Sequence, residues 1–471
     1  MMKLRNLIFS AALLALGLPA AAQNTFMLSV SPANAQSVIS GHGLTVIKEL
    51  YDGSICVYLV SSPSTDTSEV EAEVESDLRA VGFEPDQIAS LPELSGLTQA
   101  TLTQSNTSIL DTLPGRTLVS FFGSTVPSNY TTQAATNIIR LSDARTATHL
   151  TGAGVVGIID TGADPNHPAL LPALVPGYDF TRETTFVSEF NDLDPALAAK
   201  LQQSNTSILD AQNVLLLNSY TAILAQSNTS ILDQSNTSIL DSTYPDFGHG
   251  TMVAGIVHLI APTAKIMPLK AFRADGTSNL SDIVRAIYFA ADHGVNVLSM
   301  SFSMQQSSPG LQAAIQYALG KNVTLIAASG NDGLKTLVFP ASYNGVEGIG
   351  STSNLDVRST FSNYGSGVTL FAAPGEGVIT TFPGGGYAAA WGTSFSTPMV
   401  AGAASLVIQA RPASKPGDVI NALSKAKQIS DMGFGRIDLY QALTNWVPVA
   451  TTSSSSGTGT SGSASGGPSK P

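Results

Sequence analysis

Between Val155 and Phe371 the chain carries short, almost unbroken apolar runs: Val155 to Ile159, Ile266 to Leu269, Val295 to Met300, Val323 to Ala327, Val346 to Ile349 and Val368 to Phe371. Stretches long enough for helices separate them. A strand buried on one face alternates apolar with polar residues, whereas a strand buried on both faces is apolar throughout. The pattern therefore predicts an α/β domain, a parallel β-sheet with helices on both faces. Sheets of this kind build their sites at the C-terminal ends of the strands.

Composition narrows the class. The chain has 471 residues with 22 Lys and Arg against 34 Asp and Glu, a net charge of −12. That balance offers no basic footprint for phosphates and argues against a nucleic-acid partner. Only 12% of residues are charged, about half the usual share, so Ser, Thr, Asn, Gln and Gly must cover much of the surface. The lone cysteine, Cys56, has no partner for an internal disulfide, and none of the six histidines stands in a His-Glu-x-x-His pair, so zinc hydrolysis is not indicated.

The ends suggest export. Lys3 and Arg5 precede an apolar run from Leu7 to Leu18, and Pro19-Ala20-Ala21-Ala22 follows as a cleavage site before Gln23. The run is short of the ~20 residues that span a bilayer. Residues 1–22 therefore read as a secretory signal. The mature protein is expected to be secreted, extracellular or periplasmic, with no membrane hold once the signal is cut. Residues 448–471 are nearly all Ser, Thr and Gly and read as a flexible tail.

Residues 23–125 read as a small α+β unit. Phe26 to Val30 and Ile55 to Val60 are expected strands. Val70, Val74, Leu78 and Val81 recur at helical spacing, with Ser68 and Glu71 as a capping box and Gly82 as the stop. Residues 126–447 form the larger domain. The octet Gln-Ser-Asn-Thr-Ser-Ile-Leu-Asp occurs at 104–111, 203–210, 226–233 and 234–241, and the last three copies define an insertion at about 185–243. Eight residues rotate a helix by about 80° past whole turns but stay in phase on a strand, so a weak β preference follows. A tolerated surface insertion is the plainer alternative.

Three segments place a reactive side chain among small residues. Val155 to Asp160 ends a buried strand on a carboxylate, with Thr161-Gly162 following. His249 opens a helix within Gly248-His249-Gly250-Thr251, where one ring nitrogen can face a carboxylate and the other a substrate. Ser394, in Gly392-Thr393-Ser394-Phe395-Ser396-Thr397-Pro398, stands at the start of an apolar helix running to about Gln409, with Pro398 expected in its first turn. Alone, each has a bland reading: a turn cap, a structural histidine, an ordinary N-cap serine. Together they supply a nucleophile, a base and the carboxylate that orients the base.

In this order, Asp160, His249, Ser394, the motifs resemble those of the subtilisin-like serine proteases, the subtilase family, over roughly Thr151 to Leu443. The resemblance implies a serine endopeptidase made as a zymogen. Ala328-Ser329-Gly330-Asn331 is similar to the family's oxyanion segment, so Asn331 would donate its side-chain amide to the tetrahedral intermediate. By the same likeness Ser301, Phe302 and Ser303 would lie along an extended polypeptide substrate, and Ala328, Ser329 and Gly330 would wall the specificity pocket. Phe339-Pro340-Ala341, Ser359 to Gly365 and Ala373-Pro374-Gly375 also match. The leading unit would be the propeptide, an intramolecular inhibitor and folding aid cut away between about Leu113 and Ser142. Ser303 and Met304 stand where the family usually has Gly, which puts the pocket's shape in doubt. No cofactor is required, and structural calcium stays an open option that no Asp-rich loop indicates.

Two rival readings remain. Asp160-Thr161-Gly162 also suits an aspartic protease, but that chemistry needs a second such motif, which the chain lacks. A non-catalytic surface protein could keep the fold as a scaffold, though it would not need Asp160, His249, Ser394 and Asn331 all at once.

Overall fold

The computed structural model describes residues 24–91, 117–202, 209–218, 221–226 and 243–446. The expected signal at 1–22, the expected tail at 448–471 and most of the octets lie outside these residues.

The strands, in chain order, are β1 (Thr25–Val30), β2 (Thr45–Tyr51), β3 (Cys56–Ser61), β4 (Ala80–Pro85), β5 (Ile88–Ser90), β6 (Leu118–Phe121), β7 (Ser124–Pro127), β8 (Val155–Asp160), β9 (Tyr178–Asp179), β10 (Leu209–Asn218) and β11 (Thr221–Gln226). They continue as β12 (Lys265–Lys270), β13 (Thr277–Asn279), β14 (Val297–Met300), β15 (Thr324–Ala328), β16 (Val346–Thr352), β17 (Phe371–Pro374), β18 (Val378–Phe382) and β19 (Gly386–Ala390).

The apolar runs build a seven-stranded sheet in the order β17-β16-β15-β14-β8-β12-β9, with every pair parallel. Both faces are covered, as expected. Val156, Ile158, Ile266, Val297 and Ile326 join a core with the helices His249–Ile260 and Thr393–Ala410. Their strand neighbours Ile159, Leu269, Leu298 and Leu325 face a second core with Leu280–Asp292 and Pro309–Gly320. Along the chain the order leaves β8 for β12 on one side and then for β14 on the other. The ends of β8 and β14 therefore flank the crevice where α/β sheets build sites. Asp160 ends β8, and Ser301 follows β14 directly.

Two details differ from expectation. The last apolar run pairs as Phe371–Pro374, and Val368 precedes the strand as a buried core residue. The start of the expected insertion also packs into the body: Phe190, Leu193 and Leu197 are buried in the first core. Strands β10 and β11 lie largely between octets, and β11 pairs antiparallel with β19, the strand leading to Ser394.

The leading unit is a four-stranded antiparallel sheet, β2-β3-β1-β4, around Phe26, Leu28, Val38, Val74 and Phe83. Its helices are Ala35–Gly41 and Thr67–Glu75, the second shorter than the periodicity predicts. Asp66, not Ser68, caps it by accepting from Glu69 N, and β4 begins at Ala80. Leu78 is fully exposed and Val81 mostly so, so their helical spacing reflects no shared buried face.

The other face of this unit rests on the larger domain. Met27, Leu50 and Val57 join the second core, and Tyr51 stacks on Tyr288 at 3.9 Å between ring centroids. Glu84 accepts from Ser308 Oγ (3.0 Å) and Gly310 N (2.6 Å) at the start of Pro309–Gly320. Asp86 accepts from Ser281 N and Ser281 Oγ, both at 2.8 Å, at the start of Leu280–Asp292. Each carboxylate meets the positive end of a helix. Beyond them β5 pairs antiparallel with β13, and Leu91 N donates to Gly276 O at 2.9 Å.

Candidate active site

Asp160 and His249 come together because two glycines let their backbones touch. A Cβ on Gly250 would sit 2.1 Å from the Gly162 carbonyl oxygen. Only glycine permits that approach, which brings the start of the His249 helix against the end of β8. His249 Nδ1 then lies 2.7 Å from Asp160 Oδ1, both side chains buried. A carboxylate can only accept, so Nδ1 carries the hydrogen and Nε2 is left as the basic nitrogen of the neutral ring. Asp160 Oδ1 also accepts from Thr161 N at 2.7 Å.

Burial alone would lower the pKa of His249. The attraction and hydrogen bond of Asp160, with Asp246 and Glu189 adding to them, outweigh burial and raise it above the ordinary imidazole value.

Ser394 sits in the first turn of Thr393–Ala410, whose N-cap is Gly392. Pro398 lies in the second turn rather than the first, and this has a consequence. Proline has no N–H, so the Ser394 carbonyl loses its helical partner. Ser301 Oγ supplies the missing donor at 2.9 Å. In return Ser394 Oγ donates to Ser301 O at 3.1 Å. The hydroxyl is thus turned toward Ser301 and makes no hydrogen bond to His249. The imidazole instead packs on the ring of the next residue, Phe395, at 5.2 Å between centroids. In resting sites such bonds are commonly long and tighten only with substrate bound.

Asn331 is fixed by its oxygen. Oδ1 accepts from Thr393 N and Thr393 Oγ1, both at 2.9 Å, which turns the amide nitrogen toward Gly392, 3.4 Å from where a Cβ there would stand. The turn carrying Asn331 is held by Asn363. Its Oδ1 accepts from Asp332 N and Leu334 N, and its Nδ2 donates to Asp332 Oδ2 at 2.9 Å. Gly330 adopts φ +91 beside it, where a Cβ would meet Asn363 Nδ2 at 2.5 Å.

Among the other expected site residues, Ser301 and Ser303 reach the site, since Ser303 Oγ lies 3.5 Å from a Cβ built on Gly330. Ala328 and Ser329 are buried at the end of β15, with Ser329 N donating to Ile349 O at 3.0 Å. Phe302 turns inward and packs against Phe272 in the second core, so any contact it makes with an extended chain is through its backbone. No cluster of three or more His, Cys, Asp or Glu side chains suited to a metal ion occurs among the described residues.

The residues missed in the sequence lie behind the pair. Lys270, with its side chain fully buried, bonds Thr161 O (2.8 Å), Phe272 O (2.6 Å) and Asp192 Oδ2 (2.6 Å). Glu189, equally buried, faces Thr161 and Thr251. No motif marks either one. The only sequence signals are a lysine directly after the apolar run Ile266 to Leu269 and a glutamate within the stretch expected to be an insertion.

Known proteins agree with this architecture. The model described as the subtilase family matches residues 152–459, a span that contains Asp160, His249, Asn331 and Ser394. The chain belongs to the subtilase family. It is similar to thermitase of Thermoactinomyces vulgaris, 31% identical over 303 residues, covering 61% of this chain and 88% of that one. It also resembles alkaline elastase YaB of Bacillus sp. (strain YaB), 38% identical over 174 residues, or 35% of this chain and 46% of the relative. Subtilisin BL of Lederbergia lenta is 37% identical over 180 residues, 36% of this chain and 66% of its own. The matches thus span about half of the elastase's length and just under two thirds of that of subtilisin BL. The solved structure of fervidolysin from Fervidobacterium pennivorans shares the fold, with a TM-score of 0.61 and 19% identity over 91% of this subtilase and 62% of its own chain.

Proposed function

We propose that this subtilase is a secreted serine endopeptidase made as a zymogen, with Ser394 as nucleophile. The observation that carries the reading is the buried Asp160–His249 pair, bonded at 2.7 Å beside the Ser394 helix at the C-terminal edge of the parallel sheet. On binding of a peptide, the Ser394 hydroxyl leaves the Ser301 carbonyl and gives its proton to His249 Nε2 as its oxygen bonds to the scissile carbonyl carbon. Asp160 stabilises the imidazolium. The amide of Asn331 and the backbone N–H of Ser394 receive the oxyanion. His249 then returns the proton to the departing amine, leaving an acyl-enzyme. Water, activated by the same imidazole, releases the acid and restores the hydroxyl.

Polypeptide is the substrate class in this reading, bound as an added strand. The leading unit supports it: Ile88–Ser90 already pairs as a strand on Thr277–Asn279, anchored by Glu84 and Asp86. We assign this unit the role of intramolecular inhibitor and folding aid, with the maturation cut between about Leu113 and Ser142. Within that stretch Phe121 and Val126 are buried in the first core of the larger domain, which favours a cut on their N-terminal side. Export rests on the signal-like residues 1–22. No helix among the described residues is long and apolar enough to cross a membrane.

The test is labelling with a fluorophosphonate and hydrolysis of casein. Wild-type protein should take one label and digest casein. Ser394→Ala should take none and lose about six decades of turnover, since triad members act as a unit. A Ser394→Ala variant that still digests casein would refute the assignment.

A further inference from the structure

Glu189 is a buried carboxyl group to which the reaction above gives no role. It opens the helical turn Glu189–Asp192. Its Oε1 accepts from Gly250 N at 3.1 Å and from the Thr161 hydroxyl, and its Oε2 accepts from the Thr251 hydroxyl. Thr161 follows Asp160 in the chain, and Gly250 and Thr251 follow His249. One side chain therefore grips the residues next to both members of the buried pair. The grip is closed by further bonds: Gly250 N also donates to Thr161 Oγ1 at 2.9 Å, and Asp164 N donates to Thr251 Oγ1 at 2.8 Å. Burying a carboxyl group is costly, and an apolar residue of similar volume usually serves packing as well. A carboxyl here has a use that packing does not explain.

We propose that Glu189 is a positioning residue for proton transfer: it holds the carboxylate-bearing strand end and the imidazole-bearing helix start in register, and places a second negative charge behind the imidazolium. The inference rests on the serine-protease reading of the site.

The charged groups around it make the idea testable by pH. Asp160 faces Glu189 from β8 and Lys270 from β12, while His249 and Asp246 lie at the start of the facing helix. Asp192, on Glu189's own turn, is paired with Lys270 and Arg182. Burial pushes the Glu189 carboxyl up to about 7, against the lowering effect of the Thr161 and Thr251 hydroxyls. Glu189 and His249 lie close enough that each ionisation shifts the other. As pH rises, Glu189 gains its charge and the imidazolium holds its proton more firmly, which broadens the acid limb of kcat/KM. Removing that charge lets His249 lose its proton at lower pH.

The experiment compares matured wild type, Glu189→Gln, Glu189→Asp and Glu189→Ala on a peptide anilide, with kcat and KM expressed per fluorophosphonate-labelled site. Glu189→Gln should keep KM, lose roughly ten-fold in kcat through misplacement of the pair, and show an acid limb that is narrower and lies at lower pH. Glu189→Asp, which keeps the charge, should hold the limb near its wild-type position. Should Glu189→Ala fail to fold, the nearly isosteric Gln variant decides. The proposal is overturned if Glu189→Gln matches wild type in kcat per site and in its acid limb, whatever happens to its melting temperature. Failure of the underlying reading looks different: wild type itself then takes no label, and both fall.

Discussion

Asp160→Asn removes a charge and leaves the geometry in place. Two N–H donors, His249 Nδ1 and Thr161 N, converge on Asp160 Oδ1 at 2.7 Å each, while Oδ2 has no partner among the described residues. An asparagine therefore puts its carbonyl oxygen where both donors point and its amide where Oδ2 stood. The imidazole keeps its tautomer. What disappears is the attraction between carboxylate and imidazolium as the proton leaves Ser394. Two unit charges about 4 Å apart at an effective dielectric constant of about 20 attract by about 4 kcal/mol. That is about three decades of rate, against about four where the asparagine also imposes the wrong tautomer. The pH profile gives an independent readout. In wild type, burial lowers the pKa of His249 but Asp160 and its neighbours raise it further, so the neutral base, and with it activity, is lost as pH falls through a value above the ordinary imidazole range. In the variant burial remains and the main opposing charge is gone, so the acid limb moves to lower pH. The assay is kcat/KM on a peptide anilide across pH, normalised by active-site labelling. A loss smaller than about ten-fold, or an acid limb that stays in place, would refute the electrostatic argument.

Two further outcomes follow from bonds outside the pair. Ser301→Ala leaves the Ser394 carbonyl without a donor and should cost about 1–3 kcal/mol in thermal unfolding; Pro398→Ala in the same background restores an N–H and should recover part of it, whereas strictly additive effects would contradict the link. For the leading unit, burial raises the pKa values of Glu84 and Asp86 in the docked state, although the hydrogen bonds each accepts oppose it. Groups with raised values contribute stability below their free pKa and lose it as pH rises through the docked one, so recovery of activity from the processed complex on dilution should increase with pH. Glu84→Ala and Asp86→Ala should each weaken the complex at all pH values by about 0.5–2 kcal/mol, as for a lost helix cap, and a complex of unchanged strength would count against docking through these caps.

The parts of the site legible in the sequence were those in which a reactive residue and the glycine beside it are read together. Asp160 with Gly162, and His249 with Gly250, stand out because the close approach of two backbones imposes small residues locally. The same holds for the sheet, since burial on both faces writes itself into each strand. The supporting groups escaped because their reasons are nonlocal. Glu189 acts on residues distant in the chain across a segment read as insertion, and no spacing rule connects them. Ser301 was read as a lining residue, yet its hydroxyl also serves a carbonyl freed by Pro398. In the leading unit, periodicity misled: Val70 and Val74 share a buried face, but Leu78 and Val81 repeat the spacing in solvent. The better sign was Asp66, whose side chain caps the helix.

In the proposed zymogen, the leading unit bears on why a strand laid on Thr277–Asn279 would inhibit rather than be consumed. The pairing of Ile88–Ser90 with Thr277–Asn279 covers only three residues on each side, and a two-stranded pairing of that length has little stability alone. It is held because the same unit is tied down elsewhere, by Glu84 and Asp86 at two helix starts and by Tyr51 against Tyr288. Linked contacts raise the effective concentration of the strand at Thr277–Asn279 without any added affinity in the strand itself. A substrate has the strand but not the anchors, so its products leave after cleavage. In the zymogen reading, the docked segment stays until the anchors themselves give way. A free peptide spanning residues 86–91 should therefore inhibit the matured enzyme far more weakly than the folded unit does. If peptide and unit inhibited equally, the strand would be carrying the affinity and the anchors would be incidental.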